Sequence, residues 1–113
     1  MSKEKNYNEL VELSGEDIQF LKKKYGEIKV AEVTDKSGQK MQFAFKPANR
    51  RVMDSATDAL IQKRSVVKAS KIIVDSLLLN GKRVYEENDA VYYALNGIAQ
   101  ELKEEAEVSF LPV

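Results

Sequence analysis

The chain has 113 residues, of which 43% are apolar and 32% charged, with 18 basic side chains against 18 acidic ones; this fits one small globular domain. Cysteine, histidine and tryptophan are all absent, which excludes thiolate nucleophiles, histidine bases, Ser-His-Asp triads, Cys/His zinc sites and disulfides. No apolar run approaches the ~18 residues of a membrane span and the first residues lack an apolar signal core, so a cytoplasmic protein with no membrane partner is expected.

Residues 1–13 are polar apart from Leu10, Val11 and Leu13 and read as a flexible N-terminal arm that docks late. Ser14 with Asp17 three residues on forms a capping-box start for a short helix. Ile18, Leu21 and Tyr25 follow at helical spacing, and Gly26 is placed to close the helix in a left-handed conformation. The Lys22-Lys23-Lys24 run reads as its wet face. Ile28 to Val33 is β-branched, and Met41, Phe43 and Phe45 alternate with Gln42, Ala44 and Lys46, so both stretches read as strands. Asp35-Lys36-Ser37-Gly38 supplies the turn between them. The Met/Phe face of this hairpin needs a cover.

Pro47 stops the second strand and leads into a helix over about 49–63, with Val52, Met53, Ala56, Ala59, Leu60 and Lys63 recurring on one stripe. Ser65 caps a second helix carrying Val66, Ala69, Ile72, Ile73, Leu77 and Leu78, and Gly81 after Asn80 ends it. Glu87 or Asn88 opens a third, with Val91, Ala94, Leu95, Ile98 and Leu102 aligned. The apolar stretch 108–113, which contains Pro112, is either an extra short strand or a docking peptide. The predicted class is α+β in the order α-β-β-α-α-α, with an arm over 1–13, a single domain over 14–107 and a tail over 108–113.

The zero net charge hides a polarity along the chain. Residues 49–83 carry eight basic side chains and three acidic ones, whereas residues 84–113 carry one basic and seven acidic. This split serves a charged partner, head-to-tail self-association or an internal match between neighbouring helices. The acidic residues offer little chemistry. Asp54 and Asp58 lie one helical turn apart, a spacing that suits a divalent ion but more often faces water. Five glycines without a phosphate-binding string call for no nucleotide, and no cofactor or metal is expected. Arg50, Arg51, Lys63, Arg64, Lys68 and Lys71 would suit nucleic acid, against the neutral total and the acidic last helix. Tyr92 and Tyr93 point about 100° apart on a helix, so one joins the core while the other faces outward as an interface anchor. Leu77, Leu78 and Leu79 either make their helix central or offer a face to a partner.

The motifs Leu21-Lys22-Lys23-Lys24-Tyr25-Gly26, Phe45-Lys46-Pro47-Ala48-Asn49-Arg50 and Lys68-Ala69-Ser70-Lys71-Ile72-Ile73 stand in a fixed order. They continue through Leu79-Asn80-Gly81 to the acidic Glu86-Glu87-Asn88-Asp89 before the final helix. Over about residues 20–103 this arrangement resembles the small tail assembly chaperones of tailed bacteriophages. It departs from them after Gly81, where Lys82-Arg83 replaces an acidic stretch. The resemblance implies a non-enzymatic protein of the host cell cytoplasm that coats a hydrophobic, helical tape measure protein until tail-tube subunits replace it, and that forms homo-oligomers. On this reading Tyr92, Tyr93, Phe110 and Leu111 make apolar partner contacts, while Arg50, Arg51, Lys63 and Arg64 steer. Two alternatives are a virion structural subunit, contacting other phage structural proteins, and a small nucleic-acid-binding module using the basic 49–83 region.

Overall fold

The period-two pattern of Met41, Phe43 and Phe45 is realised in strand β2 (Lys40–Phe45), which pairs antiparallel with β1 (Lys29–Thr34); Lys29 lies opposite Phe45 and Thr34 opposite Lys40. The computed structural model describes residues 6–102 and 108–112. Residues 1–5 of the expected arm, residues 103–107 of the expected domain and Val113 lie outside the described residues. In the turn, the Asp35 carboxylate accepts from the Ser37 hydroxyl at 2.6 Å and from the amides of Ser37 and Gln39, each at 2.9 Å. The Ser37 hydroxyl is the main cause of a carboxyl pKa held below the ordinary range.

The α+β class and the helix, hairpin, helices order are as expected. Helix α1 (Gly15–Tyr25) begins with the capping box: Ser14 Oγ accepts from the Asp17 amide at 3.1 Å, and the Asp17 carboxylate accepts from the Ser14 amide at 3.0 Å. Gly26 closes it with φ +87° and ψ −140°. That is an extended, positive-φ conformation reserved for glycine, not the left-handed helical one expected. Asn49 caps α2 (Arg50–Lys63) and Ser65 caps α3 (Val66–Leu77). The two helices pack side by side through Ala56, Ala59 and Ala69, whose small side chains allow close approach.

Gly81 does not end α3. That helix stops at Leu77, and Leu78 turns extended to form a β-bridge with Phe45. Gly81 instead stands before a short helix absent from the predicted order, α4 (Lys82–Glu87). Asn88 then caps α5 (Asp89–Gly97), and a 3₁₀ turn over Ala99–Leu102 completes the described fold before the tail. The break after Leu77 resolves the three leucines. Leu77 and Leu78 fill the main core, and Leu79 packs in a second cluster on the other side of the sheet.

Both faces of β2 are covered, so it is not the half-buried strand predicted. Met41, Phe43 and Phe45 meet α3, Tyr85, Val91 and Leu95 in the main core, while Ala44 points into the second cluster with Leu13 and Leu21. Residues 6–13, expected as a loose arm, supply part of that second cover. Their backbone is bound at several points: Val11 O accepts from the Gln42 amide at 2.7 Å, Tyr7 O from the Gly81 amide at 2.7 Å and Asn8 O from the Arg83 amide at 3.0 Å.

The outer edge of β2 is completed by two half-strands in place of a third strand. The Leu79 amide donates to Ala44 O at 2.9 Å on one side, and Val11 serves Gln42 on the other. The fully buried Asn80 splices them. Its Oδ1 accepts from the Ala44 amide at 2.7 Å, and its Nδ2 donates to Gln42 O and Leu10 O, both at 2.8 Å. One carboxamide thus does the work of a backbone peptide group.

Tyr85 is the largest fully buried side chain of the core, and its hydroxyl donates to Asn96 Oδ1 at 2.7 Å. Burial is the main cause of a phenol pKa pushed above the ordinary value, with the Asp75 charge adding to it. Because the folded value is raised, the stability is fully present below the unfolded phenol's pKa of about 10 and is lost as pH rises beyond it. Tyr85→Phe is expected to cost about 1 kcal/mol at neutral pH through the lost hydrogen bond. It should also flatten the alkaline decline, a comparison read from thermal melts of the two proteins below and above about pH 10.

Candidate functional site

The free end of the α2–α3 hairpin is built by chain reversal at Arg64 and Ser65. Leu60 and Ile61 lie in the last turn of α2, and Val66 and Val67 open α3. All four are exposed, Ile61 to 67%, Val66 to 64% and Val67 to 57%. Lys63, Arg64 and Lys68 are exposed beside them and make no ion pair among the described residues. Arg64 adopts φ +49° and ψ +38°, and is the one described non-glycine residue at positive φ. A left-handed residue costs about 1–2 kcal/mol where glycine would cost little, so the reversal keeps a cation at the price of some strain.

The sequence points to the basic half of this tip but not to its apolar half. Leu60 and Val66 fall on the core stripes of their helices, yet those stripes outrun the neighbours that would cover them. The visible signal was off the stripe: Ile61 and Val67 are apolar residues where a solvated face would carry polar ones.

The structure does not gather the eight expected partner residues into one surface. Arg50 and Arg51 are exposed at the start of α2, about 20 Å along the helix from Lys63 and Arg64. They stand where the helix dipole disfavours cations, and α2 has no acidic residue in its first turn. Tyr92 turns inward and stacks on Tyr85 at 5.2 Å between ring centroids; Tyr93 is exposed and meets Tyr92 edge-on at 5.4 Å. Phe110 and Leu111 lie in the tail. Residues 108–112 form no strand there and pack on nothing that buries them, with Phe110 97% exposed.

Among the described residues, little of the charge split is an internal match. Among the described residues, only Lys71 and Arg83 of the eight cations in 49–83 find carboxylates. Lys71 pairs with Asp75 at 2.8 Å, and Arg83 with Glu9 and Glu87. Hydrogen bonding to Asp75 raises the Lys71 pKa, and bonding to Glu9 first and Glu87 second raises that of Arg83. Arg50, Arg51, Lys63, Arg64, Lys68 and Lys82 have no such partner among the described residues. Asp54 and Asp58 both face solvent, and no group of three acidic side chains that could hold a metal ion occurs among the described residues. No helix of the described residues is long and apolar enough to cross a membrane. No protein family's sequence profile matches the chain, and no curated protein or solved structure matches it at a significant level.

Proposed function

We propose that this chain is a non-enzymatic assembly chaperone of the phage-tail kind, which holds an apolar helical client, a tape measure protein, through the tip of the α2–α3 hairpin. The observation that carries the reading is the set Leu60, Ile61, Val66 and Val67, four large aliphatic side chains left uncovered at one end of a well-packed fold. Full burial of each such side chain is worth about 1.5–3 kcal/mol. They are 43–67% exposed, so a partner that covers them gains about half of that, while the surrounding cations keep the free protein soluble. An amphipathic helix laid along such a tip reads it through residues one turn apart.

Co-expression with a tape measure protein tests this. The client should be soluble and should copurify after nuclease treatment, and Ile61→Ser with Val67→Ser should cut recovery by about tenfold or more. An insoluble client, or equal recovery with the double variant, overturns the reading. The cations of α2 and α3 that have no carboxylate partner among the described residues favour a second reading, a nucleic-acid module. That reading requires retention of nucleic acid that falls steeply with salt, and its loss when Arg50, Arg51, Lys63 and Arg64 are replaced.

A further inference from the structure

We infer that the C-terminal tail of one copy docks on the α2–α3 tip of the next, so that the chain self-associates head to tail. The inference rests on the tip being a protein-binding surface and names a second copy of this chain as an occupant. Two observations meet in it. The tip is apolar and carries three cations with no carboxylate partner among the described residues. The tail is apolar at Val108, Phe110 and Leu111, and none of the three is covered by its own chain. In sequence the tail follows Glu104, Glu105 and Glu107, within a stretch of seven acidic residues to one basic. The tip thus offers apolar area with positive charge beside it, and the tail offers apolar area that follows an acidic stretch in sequence.

The two surfaces differ, so the contact is heterologous. A joined pair keeps one tip and one tail free for further neighbours, and the association builds open chains in place of a closed dimer. One short peptide in one patch is a small interface, consistent with a Kd on the order of 10–100 µM. Part of its strength is electrostatic, so salt should weaken it. A client seated on the tip would displace the tail, which couples loading of the client to breaking of the chain.

Sedimentation velocity on the full chain at low salt, with two variants, decides the matter. One variant changes the tip (Ile61→Ser with Val67→Ser) and the other the tail (Phe110→Ser with Leu111→Ser). All four side chains are exposed, so unchanged circular dichroism and melting temperatures are expected. Wild-type protein should grow in size with concentration, and each variant alone should remain monomeric. Mixed in equal amounts, they should form a dimer and nothing larger, because the intact tail of the tip variant meets the intact tip of the tail variant. Arg64→Gly, which suits the left-handed position and removes one charge, should weaken association several-fold without lowering stability. The inference fails if wild-type protein stays monomeric up to about 300 µM, above the expected Kd, if either variant associates like wild type, or if the mixture does not pair. Client solubilisation by a monomeric wild type would retain the chaperone reading while discarding this one. Self-association with no client binding would do the reverse.

Discussion

Replacing Asn80 with alanine should destabilise the fold by about 3–5 kcal/mol, a large share of what a domain of this size holds in reserve. The substitution removes little volume. Its effect comes from three backbone groups that lose their partner together: the Ala44 amide and the carbonyls of Gln42 and Leu10. Ala44 and Asn80 are fully buried, so water cannot replace the lost bond at the strand amide. Asn80→Asp should be comparably damaging at neutral pH, since a carboxylate keeps the acceptor but turns its other oxygen toward two carbonyls. Burial and those carbonyls would raise the folded carboxyl's pKa above its unfolded value of about 3.9. The variant's relative stability should therefore improve as pH falls and worsen as it rises. Urea unfolding of the three proteins at acidic and neutral pH checks this. A loss below about 1 kcal/mol for Asn80→Ala would mean that packing alone holds the two half-strands in place.

Gly81→Ala should be nearly as harmful, for two separable reasons. The residue sits at φ +68°, where a Cβ costs about 1–2 kcal/mol. That Cβ would also lie 2.6 Å from Phe43 Cε1 and 3.3 Å from Leu10 O. Phe43 has no exposed surface into which to retreat, so overpacking adds about 1–3 kcal/mol. The two parts can be told apart by combining the variant with Phe43→Leu. Shortening the ring opens a cavity on its own, but it also makes room for the new methyl group. The double variant should then be more stable than the sum of the single losses predicts, by about 1 kcal/mol, in denaturant titrations. Strict additivity would assign the whole effect to the backbone angle.

Much of the architecture could be read from local chemistry. Ser14 with Asp17, Ser65 and Asn88 each announce a helix start that depends only on residues within one turn. The alternation of Met41, Phe43 and Phe45 around an Asp-Lys-Ser-Gly turn specifies the hairpin in the same way. The departures share a different cause, since each depends on a contact distant in sequence. Asn80-Gly81 carries the local signature of a helix end, and nothing nearby shows that its amide completes a strand edge 36 positions earlier. Leu10, Val11 and Leu13 look too few to anchor an arm because their hydrogen-bond partners, Gln42 and Asn80, come later in the chain. At the candidate site the cations Lys63 and Arg64 were legible as unbalanced charge. Leu60 and Val66 were not, because periodicity gives the face of a helix and not how far along it the neighbours extend.

The binding of residues 7–11 to Gln42 and to residues 80–83 also sets a schedule for synthesis. Asn8 and Glu9 lack their distant partner until Arg83 exists, a separation of 74 residues for the Glu9–Arg83 pair. At translation speeds of 5–20 residues per second, that interval lasts roughly 4–15 s. Within it Met41, Phe43 and Phe45 are made before Ile73, Leu77 and Tyr85 exist to cover them. A nascent chain with an open Met/Phe strand is a substrate for the cell's folding machinery. The yield of this protein in a cell is therefore expected to follow the elongation rate through its middle codons, even where the finished molecule's stability is unchanged.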